Sequence, residues 1–163
     1  MKSFDIRLVA AALLAGLCSL HGAYAATGVA QGAHLTPAQI AATGATARYS
    51  IGGTAVTVLP AESGVTTRST DGSAITTVVN AAGVVGTSRN EVLVAQIATD
   101  TVRSQGAALL AAAKSVNYYD HMQITSVRYA SFAQAVAGRD NLQAAFPKAQ
   151  VTLPVEYHQR KPR

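Results

Sequence analysis

The feature that most constrains the fold is a Thr- and Val-rich stretch, residues 48 to about 95, that turn-forming residues divide into short runs. β-Branched side chains pack well on a pleated sheet and lose rotamer freedom in a helix. Asp71-Gly72 stands between two of the runs and is the strongest hairpin signal in the chain. We therefore expect an antiparallel meander of three or four strands, drawn from four runs: 47–59, 65–69, 74–80 and 84–88.

Two capping patterns predict where helices begin. Thr36 can cap a helix that starts at a proline, with Gln39 placed to complete a capping box, and this short helix should end near Gly44. Ser131 and Gln134 have the same spacing and predict a second capping box, which opens another helix.

A longer helix is predicted between these two, from Asn90-Glu91 to about Ser115. Its apolar residues recur every three or four positions, which is the period of an amphipathic helix. The opening residues 92–94 are Val, Leu and Val, and they could equally finish a strand. The start of this helix is therefore left open.

The C-terminal third alternates between strand and helix signals. A strand at 122–129 precedes the Ser131 helix, which we expect to be interrupted near Gly138 and ended by Pro147, and a last strand follows at 151–157. This order suggests a right-handed crossover between parallel strands, with a helix hairpinned onto an antiparallel sheet as the alternative. The predicted class is α+β: an antiparallel β-meander followed by a helix-strand-helix-strand unit, in a single small domain.

The first 25 residues predict export through a cleavable signal peptide of bacterial type. Lys2 and Arg7 form a positively charged segment before an apolar run, 8–20, that is shorter than the roughly 20 residues a helix needs to cross a bilayer. Ala23-Tyr24-Ala25 offers small residues at the two positions that the peptidase reads. We expect cleavage between Ala25 and Ala26 and a periplasmic or extracellular destination.

The predicted organisation is a signal peptide (1–25), a flexible arm and short helix (26–47), an α+β domain (48–157) and a basic tail (158–163). The arm proper is expected over 26–34. Cleavage would remove Cys18, the only cysteine, so the exported chain would have no disulfide in an oxidising compartment. Packing alone would hold it together.

The tail contains most of the net positive charge of the exported chain. Removing the signal peptide takes 2 cationic and 1 anionic side chains and leaves 11 Lys+Arg and 7 Asp+Glu, a net charge of +4. Arg160, Lys161 and Arg163 supply three of those charges and could tether the chain to an anionic surface. A solubilising tail is the favoured alternative, since three charges are fewer than a basic patch has. No aromatic residues interleave with them, so nucleic acid is not an expected partner.

Motifs for catalysis are sparse in the sequence. Asp120 and His121 lie in the densest polar cluster of the sequence, residues 117–121. Adjacent residues on an extended chain point to opposite faces, so these two could not bond each other as a general base and the residue that orients it. A connection between a helix and a strand is the favoured alternative for this cluster. Ser88 follows a glycine at the spacing of a nucleophile elbow, whose second glycine is replaced by Asn90. Asp120, His121 and Ser88 are the catalytic candidates of the sequence. No cofactor or metal is predicted, because nothing in the spacing of the histidines brings them together.

The expected function is therefore a non-catalytic exported protein with a binding, accessory or envelope-assembly role. Its partner would be a protein or an envelope component, and its oligomeric state is left open. Tyr118, Tyr119 and Arg128 are the candidate binding residues. The alternatives are a small secreted hydrolase and a structural subunit of a surface polymer, for which charge-poor β-rich segments are suited.

Overall fold

A computed structural model describes residues 29–45, 47–60 and 74–158. The helices and strands follow the chain in this order: α1 (Pro37–Ala42), β1 (Arg48–Ile51), β2 (Thr54–Val58), β3 (Thr76–Asn80), β4 (Val85–Ser88), β5 (Glu91–Ala95), α2 (Thr99–Gln105), α3 (Ala107–Leu110), β6 (Ser115–Tyr119), β7 (Ile124–Arg128), α4 (Phe132–Ala145) and β8 (Gln150–Thr152). A 3-10 turn, Asp120–Met122, connects β6 to β7.

The first sheet is the expected antiparallel meander, with strand order β1-β2-β3-β4. The predicted run 47–59 is in fact two strands, because Gly52 and Gly53 both have positive φ (56° and 83°) and reverse the chain between Ile51 and Thr54. Two consecutive residues with positive φ are what a two-residue hairpin turn requires. The predicted strand at 65–69 and the Asp71-Gly72 turn lie outside the described residues.

The second sheet has strand order β6-β7-β5-β8, and every neighbouring pair is antiparallel. Since β7 and β8 are both antiparallel to β5, they run in the same direction on either side of it. The crossover through α4 thus joins two strands of like direction, as expected, but they do not pair with each other. The resulting β-α-β-β-α-β order is the split β-α-β arrangement of ferredoxin-like domains.

The α+β class is confirmed, but the helix expected from Asn90-Glu91 begins only at Thr99. Its first part is β5, the strand alternative. Val92 and Val94 are fully buried against the helices while Leu93, between them, faces the other side of the sheet, so the true period there is two. Gly106 then separates α2 from α3, and the end of the predicted helix at Ser115 is the start of β6.

The capping box predicted at Thr36 is confirmed, and the second one, predicted at Ser131, is present only in the bond that Ser131 accepts. Thr36 and Gln39 form a reciprocal capping box at the start of α1, and the Ser131 hydroxyl accepts a bond from the Gln134 N–H at 3.3 Å. Helix α4 is not interrupted near Gly138, however, but is continuous from Phe132 to Ala145.

One hydrophobic core joins the two sheets. Tyr49 of β1 packs edge-on against Phe132 of α4, with ring centroids 5.5 Å apart. The core contains Val56 and Val78 from the meander together with these buried residues of the second sheet and its helices: Val92, Val94, Val102, Val127, Leu142 and Val151. A smaller cluster under α1 comprises Leu59, Val79 and Val85 with half-buried residues around Leu35. The meander and the second sheet therefore form a single unit.

The outer edge of β4 is covered by two segments. Both segments pair with the outer side of β4. Near the start of the strand, Val85 exchanges backbone hydrogen bonds with Gly32 and Ala33, and further along Thr87 exchanges them with Glu156. Residues 29–34, expected in a flexible arm, thus belong to the folded unit. The predicted strand 151–157 is divided: β8 ends before Pro154, which has no N–H to donate, and Glu156 pairs with the first sheet.

Candidate functional site

The predicted polar cluster lies at the end of β6, which is an edge strand that pairs only with β7. Tyr118 and Tyr119 point to opposite faces of the sheet. Tyr118 is half-buried among the core residues on the helix side, whereas Tyr119 is 40% exposed on the other side. The sequence predicted a helix-to-strand connection at this point and missed the edge strand, since Ser-Val-Asn-Tyr-Tyr is too short to show a clear period.

Asp120 is part of a structural contact between α2 and the end of β6. The Thr99 hydroxyl donates to Oδ1 of Asp120 at 2.5 Å, and the Arg103 guanidinium lies 3.7 Å from the same oxygen. The guanidinium carbon of Arg103 is also 4.3 Å from the centroid of the Tyr118 ring, and the side chain forms an ion pair with Asp100. These contacts fix the turn after β6 against the helix.

The structure does not assemble the three catalytic candidates. Ser88 is 1% exposed, and its hydroxyl accepts a bond from the Asn90 N–H at 3.2 Å. Asn90, two residues after Ser88, accepts a hydrogen bond at its carbonyl from the N–H of Tyr129, which follows β7. His121 lies at the opposite end of β7, before the strand begins. The length of β7, roughly 13 Å for five residues, therefore separates Ser88 from His121. His121 is exposed in the turn before β7.

Arg128 is at the far end of the edge strand from Tyr119. Its register partner in β6 is Ser115, and in β5 it is Glu91, whose Oε2 is 3.8 Å from the guanidinium. The Ser126 hydroxyl donates to Glu91 as well. Arg128 and the tyrosines thus do not form one patch, and Arg128 belongs to a charged cluster on the face of the sheet away from the helices.

A cleft that sequence reasoning did not predict lies beside this cluster. It has a volume of about 430 Å³, and its lining comes from distant parts of the chain: Gln31, Ile75, Thr87, Arg89, Glu91, Leu93, Pro154 and Glu156. One guanidinium and two carboxylates could hold a polar group. The lining has no histidine, cysteine or serine, so the Thr87 hydroxyl and the two carboxylates are its candidate nucleophile and bases. A shallower groove of about 230 Å³ is mostly apolar and is lined by Ile51, Thr54, Val56, Leu153, Val155 and Tyr157.

Several sequence predictions concern residues that the structure leaves undescribed. These are the signal peptide with its cleavage site and the tail cations Arg160, Lys161 and Arg163. Within 29–45, 47–60 and 74–158, no three His, Cys, Asp or Glu side chains gather to hold a metal ion. Over the same ranges, no helix has both the length and the apolar character to cross a bilayer.

The four edge strands of the two sheets are β1, β4, β6 and β8, and they differ in what lies on their outer sides. The edge at β4 is closed by residues 32–35 and by Glu156. At β6, no described segment pairs with the outer side. The strand contains neither a charged residue nor a proline, which are the usual devices that keep an edge from pairing.

Comparison of the chain with protein-family models, with curated proteins and with solved structures found no match. A functional assignment therefore depends on the geometry alone, and a fold arrangement by itself does not imply an activity.

Proposed function

We propose that this chain is an exported, non-catalytic binding protein that adds an extended segment of a partner to its edge strand β6. The observation that carries the proposal is the open outer side of β6. In the other sheet, by contrast, the outer side of β4 is covered by other segments of the chain. An unpaired row of backbone N–H and C=O groups is a ready site for strand addition.

The surroundings of β6 support a rigid site. Residues 115–119 pair with β7 along the whole strand, and Val116 and Tyr118 pack against the main core. The Thr99 and Arg103 contacts to Asp120 fix the following turn. A partner strand would therefore add to a preformed edge, and little ordering of this chain would oppose binding.

The hydrolase alternative has less support, because Ser88 is buried in a backbone contact and is a strand's length from His121. It predicts that His121→Ala abolishes a hydrolytic activity. The binding proposal predicts instead that His121→Ala captures a partner as well as the natural chain does, which makes this variant a matched control beside β6.

Strand addition can be tested with two adjacent proline variants, Val116→Pro and Asn117→Pro. Successive N–H groups of a strand point to opposite sides, so one variant loses a bond to β7 and the other loses only an outward donor. The variant that keeps the natural unfolding temperature is the informative one. The immobilised mature chain is exposed to an envelope extract, and captured proteins are identified by mass spectrometry. The stable proline variant should lose the partner, and equal capture by it would overturn the proposal.

Export is a separate part of the proposal and is supported by the sequence of residues 1–25. The mature N-terminus of the protein, sequenced from the periplasm or the culture medium, should be Ala26. An intact N-terminus on a protein recovered from the cytoplasm would contradict it.

A further inference from the structure

We infer that the strand added to β6 is β6 of a second copy of this chain, paired antiparallel about Asn117. This inference rests on the proposed function, since it names the partner of the same edge. It follows from residues 114–120, whose side chains complement one another when two copies of the strand lie antiparallel.

The flanking charges are complementary in that pairing. Lys114 precedes β6 and Asp120 follows it, so centring the pair on Asn117 places Lys114 of each copy opposite Asp120 of the other. Both residues are exposed. The Thr99 and Arg103 contacts to Asp120 use Oδ1, and Oδ2 has no partner in the described part of the chain. Each Asp120 carboxylate could therefore form an ion pair with Lys114 of the other copy and keep its contacts with Thr99 and Arg103.

The side chains within the strand also match. Val116 of one copy would face Tyr118 of the other on the helix side, and aromatic with β-branched pairs are favourable across strands. On the opposite face, Tyr119 would lie over Ser115 of the second copy. Tyr119 and Met122 are the two exposed large hydrophobic side chains of the described residues, and both are at this end of β6. The pairing would cover the Tyr119 ring with a small partner.

The resulting assembly is a closed twofold dimer. Residue 117 meets its own copy on the axis, and the two four-stranded sheets continue into one antiparallel sheet of eight strands. A self-complementary patch of this kind is the usual basis of twofold dimers. It also removes the open edge at β6, which prevents further strand addition there.

The test uses Asn117, which lies on the axis and is exposed. Asn117→Lys and Asn117→Asp each place like charges opposite one another in the dimer, whereas an equimolar mixture of the two variants places opposite charges there. Sedimentation velocity of the mature chain, from low micromolar to millimolar concentration, should show a concentration-dependent dimer. Each variant alone should weaken dimerisation roughly tenfold or more, and the mixture should restore it.

The matched controls are Asn141→Lys and Asn141→Asp, the same changes at an exposed position of α4. They should dimerise like the natural chain. A natural chain that is monomeric over the whole range, or Asn117 variants that dimerise as well as the natural chain, would overturn the inference. A mixture that remains monomeric would overturn the Asn117-centred register. In each case the proline variants still decide separately whether β6 adds a strand from a different protein.

Discussion

The Tyr129 ring lies where a β-carbon on residue 138 would have to be. A Cβ built on Gly138 would be 2.2 Å from the Tyr129 hydroxyl oxygen and 2.2 Å from the ring carbon that bears it. Tyr129 follows β7 and is 3% exposed, and Gly138 is buried in the middle of α4. The glycine that suggested a helix break in the sequence is therefore a contact surface for an aromatic ring.

Gly138→Ala should destabilise the fold, although alanine is the better helix former by about 1 kcal/mol. The buried ring cannot move without disturbing its neighbours, and overpacking of this kind costs about 1–3 kcal/mol. Urea unfolding followed by circular dichroism measures the change. The reverse substitution at the exposed Ala137 should cost only its helix propensity, about 1 kcal/mol. A Gly138→Ala variant more stable than the natural chain would contradict the packing explanation.

Tyr129→Phe should stabilise the protein by about 1 kcal/mol at neutral pH. The Tyr129 hydroxyl is buried with no hydrogen-bond partner among the described residues, and a buried polar group without a partner costs about 1–3 kcal/mol. Thermal or urea unfolding of the variant against the natural chain tests this. A loss of more than about 1 kcal/mol would mean that the hydroxyl makes a stabilising bond.

The same variant should change the stability at alkaline pH. Burial raises the pKa of Tyr129 above its ordinary value of 10.0, so the folded protein holds this proton more tightly than the unfolded chain does. The contribution to stability is complete below pH 10 and is lost as the pH rises through the folded-state pKa. The free energy of unfolding should therefore decline less steeply above pH 10 in Tyr129→Phe. Burial also raises the pKa of Tyr157. Tyr157 should therefore still cause part of the loss of stability above pH 10 in this variant.

Asn90 should be the most sensitive residue of the connection between the two sheets. It has a positive φ of 57°, accepts a hydrogen bond from the Thr76 hydroxyl at 2.9 Å, and accepts another at its carbonyl from the Tyr129 N–H. Asn90→Ala loses the side-chain bond and is strained at that φ, so we expect a loss of about 2–3 kcal/mol. Asn90→Gly relieves the strain and should lose less. Equal stability of the two variants would show that the φ angle has no effect.

The sequence predicted the parts of the fold that depend on neighbours along the chain. The Thr36 and Ser131 caps were correct because each is a contact between residues three apart. Strand β5 was the ambiguous case, since Val92, Leu93 and Val94 suit a helix or a strand and only the pairing with β7 and β8 decides. The cleft could not be predicted, because its walls come from segments as distant as Gln31 and Glu156.

Gly83 should tolerate substitution less well than Gly44, although both have positive φ (83° and 72°). A Cβ on Gly83 would be 2.4 Å from the Leu35 carbonyl oxygen, whereas one on Gly44 would meet nothing within 4 Å. Gly44→Ala therefore measures the backbone strain alone, about 1–2 kcal/mol. Gly83→Ala should cost more and should speed hydrogen exchange at the Leu35 amide, which bonds to the Gly83 carbonyl. Equal losses would show that the Leu35 segment adapts freely.

The covering of β4 has a practical consequence for handling the molecule. Gln31 near one end of the described range donates through its side chain to the carbonyls of Glu156 and His158 at the other, at 2.7 and 3.2 Å. The two ends of the folded unit are thus neighbours on one edge. A short linker between them should permit circular permutation, with new ends cut elsewhere. Fluorophores attached near residues 31 and 158 should accordingly report a close pair in the native state and a distant pair on unfolding, which gives an optical readout of unfolding for the stability variants.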